Sequence, residues 1–449
     1  MDARDAVAAL AADSTAPGRL AHLERLPART ARYGTLSSPL PDRLSERLAS
    51  SGIDRLWEHQ AAAVDHLRAG RHVCLASGTA SGKSLCYQLP ILEGVLSGGH
   101  EVALGLFPTK ALAHDQLRSL NSWGVPGLRA VTYDGDTPTA ERAWARRHAN
   151  VVLTNPEMLH VGMLPFHDRW ATFFMRLRYV VVDELHVLRG IFGSHAAHLL
   201  RRLRRVCARY GSEPVFCFAS ATIGNPDELA STLCGLPVLA VDDDGSPKGE
   251  RLVALWDRFA GDDGDEAPSA NATTGQLLAR FVDAGLRTIA FCPSRRGAEL
   301  VGRAARRRAP SSSIAVYRGG FLPEERRGLE RRLASGELGG VATTNALELG
   351  IDISGLDVVV LNGFPGTLAS FWQQAGRAGR GRAPSAAILV GGDDLLDRWY
   401  LDHPAEVFTR RLEPAVVNPA NPFVVGPHVG CAAYEIPLAP DDLLARGEL

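Results

Sequence analysis

Short apolar runs bounded by Gly, Pro and Ser recur along the chain, separated by longer stretches with helical spacing of their apolar positions. The first series is HVCLAS (72–77), EVALGLF (101–107), NVVLT (150–154), RYVVVDE (178–184) and PVFCFAS (214–220). The second is RTIAFCPS (287–294), IAVYRG (314–319), GGVATT (339–344), LDVVVLNG (356–363) and SAAILVGG (385–392). Runs that are apolar on both faces fit parallel strands buried between layers of helices. Two consecutive series predict an α/β architecture of two tandem lobes, each a mostly parallel sheet flanked by helices. The expected divisions are an N-terminal segment 1–50, a first lobe 51–240, a linker 241–274, a second lobe 275–400 and a tail 401–449. Composition sets the linker: DDDG and GDDGDEAPSANATTG flank one apolar, strand-like piece, RLVALWDRF. Ligands of such sheets bind beyond the carboxyl ends of the strands.

Charge and composition narrow the picture. Lys plus Arg number 49 against 50 Asp plus Glu, so the chain is not a uniformly basic nucleic-acid binder. Any grip on phosphates must be concentrated in a groove. No apolar run is long enough to span a bilayer, and the opening MDARDAVAAL lacks a signal-peptide layout. Cytoplasmic residence without a membrane partner is therefore expected. The seven cysteines (74, 86, 207, 217, 234, 292, 431) contain no CxxC pair, so neither a disulfide framework nor a zinc site is signalled. Nearly every basic residue is Arg; the only lysines are Lys83, Lys110 and Lys248. Two of the three fall in candidate motifs, where a compact ammonium does what a planar guanidinium cannot.

The chemistry begins at the end of the first run. GTASGKS lies between a strand and a helix, and Gly82, Lys83 and Ser84 match the end of a phosphate-binding P-loop. Backbone N–H groups of Thr79, Ala80, Ser81 and Gly82 would cradle phosphates at the helix N-terminus. Lys83 would reach the β- and γ-phosphates, and the Ser84 hydroxyl would bind Mg²⁺. The strict pattern has Gly where Ser77 stands; an ordinary Ser/Gly-rich helix cap is the competing reading. RYVVVDELH then ends a buried strand in paired acids. Asp183 is expected to hold Mg²⁺ and Glu184 to polarise the attacking water. Capping of a following helix is the bland alternative, and it is compatible with both roles.

The ordered set of motifs resembles the DExH-box branch of superfamily 2 helicases from about Gln60 to Arg380. DELH (183–186) resembles motif II and SAT (220–222) motif III. FPTKALAHDQL (107–117) is similar to motif Ia and TNPEML (154–159) to motif Ib. AFCPSRR (290–296), ATTNALELGIDI (342–353) and QQAGRAGR (373–380) resemble motifs IV, V and VI. The resemblance implies two RecA-like lobes with ATP and Mg²⁺ as cofactors. It assigns adenine recognition to Gln60, a ribose contact to Asp352, and coupling of hydrolysis to movement to His186, Ser220 and Thr222. Gln373, Arg377 and Arg380 would line the catalytic cleft, the arginines stabilising charge on the transferring phosphoryl group. Thr109, Lys110, Asn155, Pro156, Ser294, Arg295 and Thr344 would hold the nucleic-acid backbone. The basic run LLRRLRR, containing Arg201, Arg202, Arg204 and Arg205, reads instead as a solvated helix face.

VVDELHVLRGIFGSHAAHLLRRLRR, YRGGFLPEERRGLERRLASGEL, NGFPGTLASFWQQAGRAGR and the tail NPANPFVVGPHVGCAAYEIPL resemble the RecQ-related DNA-repair helicases that carry a C-terminal cysteine-rich domain. That implies a 3′–5′ motor on single-stranded or tailed duplex DNA, working in repair of adducts or crosslinks; repair proteins are candidate partners, and the sequence does not give the oligomeric state, for which a monomer is favoured. The family continues into a long zinc-cysteine domain, whereas this sequence stops at Leu449 without clustered cysteines. A truncated chain and a natural short form are both consistent with that ending. An RNA-remodelling ATPase and a non-hydrolysing nucleotide-dependent clamp are the competing functions.

Overall fold

Each of the ten expected runs forms a strand in the computed structural model, which describes residues 1–260, 267–309, 313–348, 355–379 and 383–439. In chain order the strands are β1 (Arg19–Leu26), β2 (Val73–Ala76), β3 (Val102–Leu106), β4 (Ala130–Thr132), β5 (Val151–Thr154), β6 (Leu177–Val182), β7 (Val215–Ser220) and β8 (Leu239–Val241). Then come β9 (Arg251–Asp257), β10 (Thr288–Phe291), β11 (Ile314–Tyr317), β12 (Gly340–Thr343), β13 (Val358–Asn362) and β14 (Ser385–Val390). They make two seven-stranded sheets, one in each of two units.

The P-loop unit consists of Arg32–Gly245 together with the segment that starts at Pro414. Its sheet has the order β4-β5-β3-β6-β7-β2-β8, and every pairing is parallel. Burial on both faces is visible within β6: Val180 and Val182 enter one core, Tyr179 and Val181 the other. The second unit consists of Met1–Ala31 and Ser246–Glu413. Its order is β1-β9-β14-β13-β10-β12-β11, parallel except where β1 runs antiparallel to β9. Along β13, Val358 and Val360 face one core while Val359 and Leu361 face the other.

Three expected divisions are redrawn. The strand-like piece of the 241–274 linker is β9, paired on both sides within the second sheet. The 1–50 segment is split. Helix Ala3–Ala12 buries Ala3, Ala6, Val7 and Leu10 in the second unit, and Pro17 O accepts from Trp256 Nε1 at 2.7 Å. Helix Asp42–Ser50 instead buries Leu44 and Leu48 in the P-loop unit. The 401–449 tail is split too, because helix Pro422–Glu435 packs on helix Gly190–Arg209 of the P-loop unit.

That packing corrects the reading of LLRRLRR as a solvated face. Arg202 is fully buried and pairs with Glu435. Arg205 donates to Ala432 O at 2.9 Å, Ile436 O at 3.0 Å and Pro437 O at 2.9 Å. Arg201 and Arg204 donate to Thr232 O and Cys234 O, each at 2.8 Å. A guanidinium supplies several donors in a fixed fork, which suits it to closing off orphan carbonyls at helix ends.

Candidate active site

The strand order places the ATP elements side by side. The P-loop follows β2, SAT ends β7 and DELH follows β6, and these three strands are neighbours. Next to them at the same edge, β3 and β5 lead into the segments that carry Thr109 and Asn155.

Between β2 and helix Lys83–Leu96 the loop turns through two left-handed residues, Ala80 (φ 59°) and Gly82 (φ 66°). Gly82 is needed there for space as well. A Cβ on it would lie 2.5 Å from Gln60 Nε2 and 3.1 Å from the Trp57 ring. Inside the loop, the Ser77 and Ser81 hydroxyls are 2.7 Å apart, and Ser81 Oγ donates to Gly78 O at 2.9 Å. The hydroxyl of Ser77, where the strict pattern has Gly, therefore serves to brace the loop. Lys83 donates to Ser77 O at 2.8 Å and Gly78 O at 2.9 Å, so its ammonium is held by its own loop. The residue is half-buried but its ammonium sits deep, and burial lowers its pKa against the pull of Glu184, Asp183 and Asp244. Thr79 lies on the loop beside Ala80, and Gln60 anchors the loop's end by donating to Gly82 O at 3.2 Å. Gln60 also accepts from Trp57 N at 3.0 Å.

Asp183 and Glu184 follow β6 directly. Burial pushes the Asp183 carboxyl well above the usual carboxylate range, with the Glu184 charge adding to it. Tyr87 interacts with both Asp183 and Ser84, which brings those two side-chain oxygens to one place. One carboxylate and one hydroxyl are hard donors suited to Mg²⁺, whose remaining ligands are phosphate oxygens and water. Glu184 is left-handed (φ 53°), a conformation non-glycine residues adopt at a cost and one that clusters at functional positions. The Asp183 carboxylate holds it there by accepting from Glu184 N at 2.9 Å.

His186 Nδ1 lies 3.4 Å from Ala221 N and 3.5 Å from Glu184 Oε2. Burial pushes its pKa down to about 3, so the ring is neutral and the contact with Glu184 is not an ion pair. The imidazole thus touches both DELH and SAT. Ser220 is fully buried and Thr222 exposed, the two sides of that turn.

The expected nucleic-acid residues share one local structure. Thr109 caps helix Lys110–Ser122, accepting from Leu112 N at 3.3 Å. Asn155 caps the turn begun by Pro156, accepting from Met158 N at 2.7 Å. In the second unit, Ser294 caps helix Arg295–Arg308 and accepts from Gly297 N at 3.0 Å. Thr344 caps the turn Asn345–Leu347. Each cap follows a strand, leaving the first N–H groups of a helical turn at the sheet's carboxyl edge, a ready anion site. Lys110 and Arg295 are both exposed, Lys110 pairing with Asp136 at 2.6 Å.

Also in the second unit, Gln373 is 6% exposed and its Nε2 has no partner among the described residues. Arg377 is 4% exposed and donates to Glu348 O. Arg380 and Asp352 lie outside the described residues. Sequence reasoning missed Tyr87, which also donates to Gln116 at 3.0 Å, and His59, buried against the loop. A tyrosine on an apolar helix and a histidine beside Gln60 carry no distinguishing signal. Among the described residues no helix is long and apolar enough to cross a membrane.

Comparison with known proteins agrees with this geometry. Residues 57–229 match the DEAD/DEAH box helicase family and residues 272–382 the helicase conserved C-terminal domain. The uncharacterized ATP-dependent helicase YprA of Bacillus subtilis is 42% identical over 90% of this chain and 56% of its own length. The ATP-dependent helicase hrq1 of Schizosaccharomyces pombe is 38% identical over 96% of this chain and 42% of its own. Among solved structures, the DUF1998 helicase MrfA bound to DNA and AMPPNP superposes with a TM-score of 0.92 at 39% identity. That match covers 99% of this chain and 63% of the MrfA chain. The chain thus spans between 42% and 63% of the length of these relatives.

Proposed function

Because the chain belongs to the superfamily 2 DExH-box helicases of the MrfA type, we propose that it is an ATP-driven motor that moves 3′ to 5′ along single-stranded DNA and serves DNA repair. The observation that carries this reading is the shared edge of one sheet, where β2, β6 and β7 present the ATP elements beside the capped turns after β3 and β5. Events at a γ-phosphate can be felt there by a bound backbone through neighbouring, rigidly paired strands. DNA is favoured over RNA by the relatives, since MrfA is seen bound to DNA. The 3′–5′ direction and the repair role rest on the family resemblance.

When bound, Mg²⁺ would be held by Ser84 and Asp183, with charge neutralisation on the phosphates as its chemistry. Lys83 leaves the carbonyls of Ser77 and Gly78 to bind the β- and γ-phosphates. Glu184 takes the proton of the attacking water. Arg377 and Arg380 stabilise the transition-state charge, and the resemblance assigns Gln373 to the same cleft.

The deciding experiment is steady-state ATP hydrolysis with Mg²⁺, alone and with single-stranded DNA, duplex DNA or single-stranded RNA. Strong stimulation by single-stranded DNA is expected. Stimulation by RNA alone would replace this reading with RNA remodelling, and ATP binding without turnover would replace it with a clamp. Glu184→Gln should keep ATP binding while kcat falls about a hundredfold or more. Near-normal turnover in that variant would remove Glu184 from its role.

A further inference from the structure

The chain leaves the P-loop unit at Gly245, the last residue before the crossing into the second unit. That exit lies against the phosphate loop, and one side chain joins the two. His59, 2% exposed on helix Glu58–Arg68, has Nε2 2.8 Å from Ser81 O and Nδ1 3.2 Å from Gly245 N. A carbonyl can only accept and a backbone N–H can only donate, so a single tautomer satisfies both: Nε2 carries the proton and Nδ1 accepts. The ring is also stacked on Trp57, with centroids 5.9 Å apart.

The exit itself is tightly fixed. Gly245 O accepts from Arg32 N at 2.9 Å, and Arg32 O accepts from Glu58 N at 3.0 Å. A Cβ on Gly245 would meet Arg32 O at 2.9 Å and Glu58 N at 3.2 Å. The preceding residue, Asp244, is buried and acts electrostatically on Lys83. The phosphate loop, by contrast, carries contacts that phosphates would compete for. Lys83 donates to the loop carbonyls of Ser77 and Gly78, and Ser81 belongs to the same loop.

We propose that His59 is a positioning residue for ATP turnover, a rigid two-ended link that passes the state of the phosphate loop at Ser81 to the chain exit at Gly245. The inference rests on ATP being turned over at this loop. A planar ring with opposed nitrogens suits the task, because displacing one end displaces the other. Gln60 beside it contacts Gly82 and so serves the nucleotide end of the loop; His59 serves the connection between loop and crossing.

The two ends can be separated by substitution. His59→Asn places its amide near the Nδ1 position, keeping a partner for Gly245 and losing Ser81. His59→Gln places its amide near Nε2, keeping Ser81 and losing Gly245. His59→Phe keeps the ring and loses both. Binding of a fluorescent ATP analogue and kcat, with and without single-stranded DNA, are measured on the full chain, with melting temperatures alongside. His59→Asn should weaken analogue binding by about tenfold, the scale of one hydrogen bond. His59→Gln should bind the analogue within about twofold yet lose about tenfold in DNA-stimulated kcat. His59→Phe should show both losses. Wild-type binding and stimulation in His59→Phe would overturn the proposal. If that variant unfolds, equal effects of Asn and Gln on both readouts would overturn it equally, since they would mean that His59 only fills space. Failure of the DNA reading looks different: the wild type itself would show no stimulation, and the split between Asn and Gln would then appear in analogue binding and basal kcat.

Discussion

Ala80 and Glu184 occupy the left-handed region without being glycine, and the two cases differ in purpose. At Ala80 the loop needs the turn and the methyl group contributes nothing to the chemistry. An L-residue in this region costs about 1–2 kcal/mol, part of which is returned by the lower entropy of its unfolded chain. Ala80→Gly should therefore stabilise the P-loop unit by roughly 0.5–1 kcal/mol. A higher denaturant midpoint, with ATP binding retained, is the result to look for; a lower midpoint would show that the methyl packs usefully. At Glu184 the side chain is the one proposed to act on the attacking water, and the Asp183 carboxylate holds the backbone in place. Most of the proposed nucleotide site is legible at this scale. Lys83 with Ser84, and Asp183 with Glu184, can be picked out from sequence because each pair is adjacent in the chain and follows a strand. Tyr87 and His59 cannot, because their roles come from partners brought close by folding.

At the scale of elements, the docking of helix Pro422–Glu435 on helix Gly190–Arg209 depends on an unusual set of groups. His428 faces His195, His198 and Arg202 of the partner helix and His160 of the turn after Asn155, while Glu435 of its own helix pairs with the same Arg202. His195 Nδ1 and His428 Nε2 are 3.0 Å apart. Burial first and the Arg202 charge second push the His428 pKa down to about 3. In the unfolded chain the same imidazole takes up a proton near pH 6.5. The unfolded state thus binds more protons between those values, so this contribution to stability is intact above about pH 6.5 and is lost as pH falls toward 3. Melting temperature should drop between about pH 7.5 and pH 5, and His428→Asn should flatten the drop. An unchanged slope in that variant would assign the acid sensitivity elsewhere. Removing one partner of the buried Arg202–Glu435 pair is a harsher change, expected to cost about 3–5 kcal/mol because the other charge is left buried. Arg202→Ala, followed by proteolysis of the C-terminal segment, tests that.

Across the whole molecule, the chain passes between the two units three times, after Ala31, Gly245 and Glu413. The first thirty-one residues complete the second sheet rather than lead into the first. A chain beginning at Arg32 should keep a folded P-loop unit and lose stability in the second, where β9 becomes an edge and Trp256 loses its Pro17 partner. Two separate thermal transitions, only the second shifted downward, are expected. A single unshifted transition would show that β1 and helix Ala3–Ala12 are dispensable.

The sequence by itself determined the two-sheet α/β plan and ten of the strands, because each is written locally as an apolar run of strand length, and it marked the candidate ATP-site acids and P-loop by residue types that phosphates would dictate. It left β1 unseen, since RLAHLERL is a half-polar strand with one neighbour. It could not show that Arg202 would be buried, that His59 would span from Ser81 to Gly245, or which sheet each terminal segment would join. Those outcomes belong to the tertiary structure because they are settled by contacts between residues far apart in the chain. Burial of charge, a tautomer fixed at both ends and a sheet edge awaiting a partner acquire their energies only once the two sides have met.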